Sequence, residues 1–278
     1  MTSIVLPKSM RDFFGINLYN TPLKFLALLG GRVMKHVLKI ILVGMLMITA
    51  GAYAQDEAEE TVDSWEGAGE FGVVSTTGNT ETIALNAKLN FIRTGPKWRH
   101  RFTGTALNTS EDGDTDNERY TMEIQSDRKL NEKSWMFGAF RWDADKFGSY
   151  DPQVSLTAGY GRQLMKSEKH ELKGEIGAGY RNLEETESGD TSSEAIARFL
   201  LDDSWQVFKT TLWTNRLLIE AGSTNTFTQF NTGLAVSMTD RFAVKLGFEI
   251  RHNTDVPEGI ADSENTDTIT SANLVYNF

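Results

Sequence analysis

The chain has 278 residues, no cysteine and a formal net charge of −10, with 28 Lys and Arg against 38 Asp and Glu. Without cysteine there is no disulfide, thiol nucleophile or thiolate metal site, and the acidic balance argues against nucleic acid, whose binders carry basic patches. A slightly negative mean hydropathy would point to a water-soluble protein. Membrane barrels escape that test, because their lipid-facing and lumen-facing residues alternate and no window looks apolar.

In chain order, residues 1–33 precede a segment laid out like a secretory signal peptide. Met34-Lys35-His36-Val37-Leu38-Lys39 is a basic start, Ile40 to Ala50 an apolar core, and Ala52-Tyr53-Ala54 a small-x-small cleavage site. The core is shorter than the ~20 apolar residues of a transmembrane helix. Cleavage after Ala54 would leave Gln55 as the first mature residue, and no cysteine follows to take a lipid anchor. Residues 1–33 either lie upstream of the true initiator, Met34, with the translation start placed too early, or are an extension of the signal. Residues 55–64 are acidic and expected to be disordered. Residues 65–278 are expected to form one domain, in a mature chain of about 220 residues.

Beyond Trp65 the chain is a series of alternating segments. From Thr80 to Arg93, Ile83, Leu85, Ala87, Leu89 and Phe91 lie on one face and Thr82, Ala84, Asn86, Lys88 and Asn90 on the other. Successive side chains of a strand point to opposite faces, so this period of two marks a sheet with one apolar and one polar side. The spacing predicts about twelve strands, near 67–75, 80–93, 97–107, 118–130, 134–143, 153–164, 169–181, 193–201, 204–219, 225–238, 241–252 and 266–278. Most are long enough for the roughly 9–11 residues that a tilted strand needs to span a bilayer, against about 5–6 in soluble sheets.

The connections follow a sidedness of their own. Thr94-Gly95-Pro96, Asn131-Glu132-Lys133, Met165 to Glu168, Asp202-Asp203 and Thr239-Asp240 are short turns. Asn108 to Asn117, Ala144 to Pro152, Asn182 to Ser192 and Asn253 to Asn265 are longer and mostly acidic, while Thr76 to Asn79 and Ala221 to Thr224 break the rule by being short. Short periplasmic turns and long external loops belong to outer-membrane barrels. The last residues alternate as well. Leu274, Tyr276 and Phe278 share one face and end on an aromatic, a pattern that resembles the signal by which the outer-membrane barrel assembly machinery recognises its clients. The expected fold is therefore all-β: a transmembrane, antiparallel, up-and-down β-barrel of about twelve strands with both termini periplasmic, in the outer membrane of a Gram-negative bacterium. Alternation cannot by itself say which face points inward, so a soluble lipocalin-like barrel stands as the alternative.

One stretch is more specific. Gly67-Ala68-Gly69-Glu70-Phe71-Gly72-Val73-Val74-Ser75-Thr76-Thr77-Gly78-Asn79-Thr80-Glu81-Thr82 resembles the opening strand and turn of the YdiY-like salt-induced outer-membrane proteins, a family of unknown function. Leu85-Asn86-Ala87-Lys88-Leu89, Lys97-Trp98-Arg99-His100 and Thr157-Ala158-Gly159-Tyr160-Gly161 are similar too, and the resemblance spans about Trp65 to Phe278. It implies an outer-membrane barrel connected with salt or osmotic response. It supplies no catalytic motif.

Candidate chemistry is sparse. A serine nucleophile needs a histidine base, itself oriented by a third group. His100, His170 and His252 are the histidines of the mature chain; His170 reads as a solvated turn residue, His252 as a rim residue and His100 as an interfacial anchor beside Trp98. No catalytic residue and no cofactor is assigned. Asp112, Asp114, Asp116 and Glu118, with Glu123 beyond, have the spacing of a hard-cation loop, but the glycine of the helical calcium hand is replaced by Asn117. A solvated acidic loop is the better reading, and no metal site is assigned. Such loops would meet outer-membrane lipid and lipopolysaccharide. Arg101, Arg119, Glu123, Lys173, Glu175, Arg181, Lys245, Glu249 and Arg251 are expected to face the lumen. Two functions stay open: a closed, non-enzymatic envelope barrel, or a narrow channel for ions or small solutes. Gly159, Gly161, Gly177, Gly179 and Gly247 either open lumen space or ease strand curvature. Trp98, Trp135, Trp142, Tyr160, Tyr180, Trp205, Trp213 and Tyr276 fall near strand ends and read as interface girdles.

Overall fold

The computed structural model describes residues 63–76, 82–111, 114–146, 148–186, 188–255 and 265–278. The leader and residues 55–62 lie outside them. Twelve strands form in chain order: β1 (Ser64–Thr76), β2 (Thr82–Thr94), β3 (Trp98–Glu111), β4 (Asp114–Asn131), β5 (Ser134–Asp145), β6 (Tyr150–Lys166), β7 (His170–Glu185), β8 (Thr191–Phe208), β9 (Thr211–Ala221), β10 (Thr226–Ser237), β11 (Phe242–Asn253) and β12 (Thr266–Asn277). Each pairs antiparallel with its sequence neighbours, and β12 pairs back onto β1, so the sheet is a closed up-and-down barrel. Closure removes the free edges that an open sheet would leave unpaired.

The polarity of the two faces decides between a membrane and a soluble barrel. Leu156 is 65% exposed, Ile176 62% and Leu246 60%, all on the outside. The inside is polar: hydrogen bonds run from Arg101 on β3 to Glu175 on β7, from Arg216 on β9 to Glu123 on β4, and from Arg251 on β11 to Asp143 on β5. Strands so far apart in the sheet can meet only through the lumen. The distribution is inside-out relative to a lipocalin and suits a barrel standing in lipid, with apolar side chains outward and polar ones inward.

Two differences from the predicted elements have a local cause. A turn is expected at Asp202-Asp203, yet β8 runs on for 18 residues and turns at Lys209-Thr210. Adjacent aspartates read as a turn because both disfavour strands. Here each is satisfied on its own face: Asp202 meets Arg216 inside, and outside Asp203 takes His170 at 2.5 Å and Asn215 at 3.0 Å. The second difference is at the other end, where the expected long loops shrink. β3 and β4 continue their ladder to Glu111↔Asp114, and β5 to β8 likewise extend into segments read as loops, leaving 146–149 and 186–190 as connections. A ladder held by backbone hydrogen bonds needs no apolar side chains once it rises clear of lipid, so hydrophobicity under-reports these strand ends.

Candidate functional site

The lumen has two halves of different chemistry. From β4 to β8 the inward positions carry long charged and aromatic residues, and these interlock. Glu175 is the centre: one oxygen accepts from Arg101 at 3.1 Å, Gln125 at 2.8 Å and Trp135 Nε1 at 3.1 Å, and the other from Arg198 at 2.8 Å. Gln125 also donates to Asp127 at 2.7 Å, and Arg99 does so at 2.8 Å. The Arg198 guanidinium lies over Phe137 at 4.7 Å and that of Arg99 over Trp135 at 5.0 Å. Charge-assisted bonds of this kind are roughly twice as strong as neutral ones, and here most lone pairs and protons are used.

Three further centres sit toward the end of the barrel opposite the short turns. Asp143 takes both Arg141 and Arg251, whose guanidinium groups lie over the ring of Phe227 at 4.4 and 5.2 Å. Arg119 donates to Asp145 at 2.5 Å and to Asp267 across the lumen at 3.1 Å. Arg181, 1% exposed, donates to Glu194 at 2.6 Å and also to the backbone oxygen of Asn225. Glu194 in turn accepts from the Thr224 amide at 2.6 Å, so this pair pins the β9–β10 connection.

The glycines are explained by this packing. A Cβ on Gly161 would fall inside the Trp135 indole, and one on Gly177 would come within 2.9 Å of the Phe137 ring. They give the aromatics a flat wall to lie on. Gly161→Val should unseat the indole and its bond to Glu175 and cost about 1–3 kcal/mol, the usual penalty for overpacking. A near-UV circular dichroism spectrum and melting profile unchanged from the parent would contradict this.

The other half of the lumen, bounded by β1 to β3 and β9 to β12, sets many Asn, Thr, Ser and Gly among its charged residues. These short side chains leave a cavity of about 410 Å³ lined by Asn86, Lys88, Thr105, Asn231, Lys245 and Ser271 among others. Lys245 is held by Glu70 at 2.8 and 3.0 Å. Arg216 marks the boundary between halves, reaching Glu123 at 2.8 Å and Asp202 at 3.3 Å.

The nine charges named from the alternation all stand on inward positions of their strands. Arg101, Glu175, Arg119, Arg251 and Arg181 belong to the packed clusters; Glu123, Lys173, Lys245 and Glu249 border the cavity. Lys173 pairs with Glu171 at 2.8 Å, and Glu249 lies 3.8 Å from Arg119. The sequence reading left out Arg141, Asp143, Arg198, Glu194 and Arg216, although Arg141 and Asp143 flank the outward Trp142 two residues apart, a signal of a shared face. Trp135 corrects the girdle expectation: it is 6% exposed and inside, because strand parity puts it on the face of Phe137 while Met136 points out. His170 is not free in solvent but held by Asp203 and packed against Trp205 at 5.9 Å.

His100 stacks on Trp98 at 6.0 Å and shares a 2.9 Å hydrogen bond with Ser126, its cross-strand neighbour. The backbone around this Ser–His pair belongs to the β3–β4 ladder, which leaves no amides to receive an oxyanion. His252 bonds Thr266 at 2.9 Å. Of the acidic run, the side chains of Asp112, Asp114 and Asp116 lie outside the described residues. Glu118 takes Lys146 at 2.5 Å, whereas Glu123 points into the lumen, so these two carboxylates do not converge. At the C-terminus, Leu274, Tyr276 and Phe278 all face outward. The Phe278 ring covers Gly67, packs edge-on to Phe91 at 5.4 Å and stacks on Tyr276 at 6.1 Å.

Among known proteins, the chain is 26% identical over 250 residues to the uncharacterized protein YdiY of Escherichia coli (strain K12), covering 85% of this chain and 95% of that protein. Among solved structures it is similar to the NanC porin, with a TM-score of 0.46 and 10% identity over 77% of this chain and 98% of that one. It is also similar to the COG4313 outer membrane channel from Pseudomonas putida F1, with a TM-score of 0.45 and 12% identity over 82% of this chain and 98% of that one. The family described as "Protein of unknown function, DUF481" matches residues 69–278, nearly the whole barrel, and the chain belongs to that family.

Proposed function

We propose that the chain is a non-enzymatic outer-membrane barrel whose polar cavity is a narrow passage for ions or small solutes. The observation that carries this is the unequal filling of the lumen, in which interlocked charged and aromatic side chains fill one part while many short polar ones leave a cavity of about 410 Å³ in the other. The start of β1 and the end of β12 lie at the end with the short turns, which fits periplasmic termini. Outer-membrane lipid and lipopolysaccharide would surround the wall, and the assembly machinery would read Leu274, Tyr276 and Phe278. The Ser126–His100 pair lacks both an orienting third group among the described residues and an oxyanion site, which favours anchoring over catalysis. The salt or osmotic link implied by the family resemblance is tested by comparing expression at low and high salt.

Protein extracted from membranes into detergent should give reproducible single-channel steps in a planar bilayer. They should be small, because twelve strands enclose far less than the 16–18 of general porins. Thr105→Trp, which fills the cavity, should reduce them, while an equally bulky change on the outer wall should not. A second reading, a closed envelope wall, is favoured by the ion pairs that cross the lumen. Silence from a barrel shown to be folded by heat-shifted gel mobility would select it.

A further inference from the structure

Among the described residues, the cavity's cations are paired with one exception. Among its cations, Lys245 has Glu70, Lys173 has Glu171, Arg216 has Glu123 and Asp202, Arg119 has Asp145 and Asp267, and Arg141 has Asp143. Lys88, on β2 with its side chain in the cavity wall, makes no hydrogen bond or ion pair among the described residues. The charged groups that face it are Glu70, Glu249, Lys245 and Arg216. Both carboxylates are engaged, Glu70 by Lys245 and Glu249 by Arg119. An ammonium walled by protein whose facing carboxylates are shared with other cations, with no direct ion pair of its own, can draw an anion from solution, since its desolvation is only partly compensated.

The uncharged groups around it have open bonding capacity too. Asn86 and Asn231 make no side-chain hydrogen bond among the described residues, and Asn90 only accepts from Thr103 at 3.0 Å, leaving its amide protons unused. Amides that both donate and accept match hydroxyl groups, which do the same. The cavity volume also falls within the roughly 300–1,000 Å³ typical of small-molecule sites.

We propose that Lys88 is the docking point for the carboxylate of a small polyhydroxylated anion, whose hydroxyls are recognised by Asn86, Asn90 and Asn231. The proposal deepens the passage reading and rests on it for the solute's route. In this arrangement the solute supplies the direct ion pair that the wall does not make. Selectivity then comes from the one cavity cation that no ion pair holds among the described residues.

Sodium gluconate, sodium chloride and sorbitol are the probes, titrated calorimetrically into the detergent-extracted protein. Gluconate should bind. Lys88→Met should weaken it about tenfold, a factor equivalent to 1.4 kcal/mol, and Lys88→Arg should retain it. Sorbitol should bind weakly, and chloride should compete poorly because it offers the amides nothing. Equal binding of sorbitol and gluconate, or of gluconate to Lys88→Met, would overturn the proposal. Without ligand, Lys88→Met should unfold at the same or a higher urea concentration than the parent, since an unpaired charge has been removed. A clear loss of stability would instead reveal a structural partner and count against a ligand site. Bilayer recordings separate the two readings: steps that gluconate does not block leave the passage standing and sink the carboxylate site. Binding that depends on Lys88 without any steps keeps the site and removes the passage.

Discussion

Glu175→Gln is expected to destabilise the barrel by about 3 kcal/mol, near the lower end of what breaking a buried ion pair by removing one partner costs. The carboxylate holds four donors on four other strands while being 3% exposed. The neutral amide keeps the shape but loses the charge that Arg101 and Arg198 share. The loss stays short of the upper end because both cations have second partners, Arg101 in Asp127 and Asp202 and Arg198 in Glu123. Combining Glu175→Gln with Arg198→Met should recover part of the loss, because the orphaned cation is then gone as well. Such non-additivity is the mark of groups in one network. Urea unfolding of the parent, both single variants and the double variant reads it. Strictly additive losses would mean that Glu175 and Arg198 stabilise the lumen independently.

This network shows what the alternation could and could not carry. A period of two assigns residues to a face, and from Ile83 to Phe91 or Phe242 to Ile250 that was enough to see one apolar and one polar side. Which charges meet depends on strand register, stagger and barrel closure, and none of these is written in a single segment. Arg101 and Glu175 are 74 residues apart, and nothing local in either strand names the other. The glycines were ambiguous for the same reason: Gly161 has meaning only once β5 lays Trp135 across it. Asp202-Asp203 misled because its turn-like composition is offset by partners on β7 and β9. The cavity was invisible from sequence, since a run such as Asn86, Lys88 and Asn90 looks alike whether its neighbours are long or short.

Deleting Phe278 is expected to be the most disruptive change of a single residue at the barrel's seam. Among the described residues, β1 and β12 pair only from Ala68↔Asn277 to Phe71↔Leu274, whereas β1 and β2 pair from Ser64↔Thr94 to Thr76↔Thr82. The terminal residue extends this short ladder, its backbone exchanging hydrogen bonds with Gly67 at 3.0 and 3.2 Å. Two net hydrogen bonds at about 0.5–1.5 kcal/mol each and the aromatic contacts at about 0.5–1.5 kcal/mol put the loss near 2–4 kcal/mol. Phe278→Ala keeps the backbone bonds and should lose only the ring's share. Gly67→Val should mimic it from the opposite strand, since a branched side chain there expels the ring while leaving the terminus intact. These three variants separate two roles for one residue. If the ring only seals the seam, Phe278→Ala and Gly67→Val should unfold alike in urea and reach the membrane in similar amounts. If the assembly machinery also reads the ring, Phe278→Ala should reach the membrane less than Gly67→Val at equal stability in vitro. A deletion variant that matches the parent in both urea resistance and membrane yield would mean that the seam is held elsewhere.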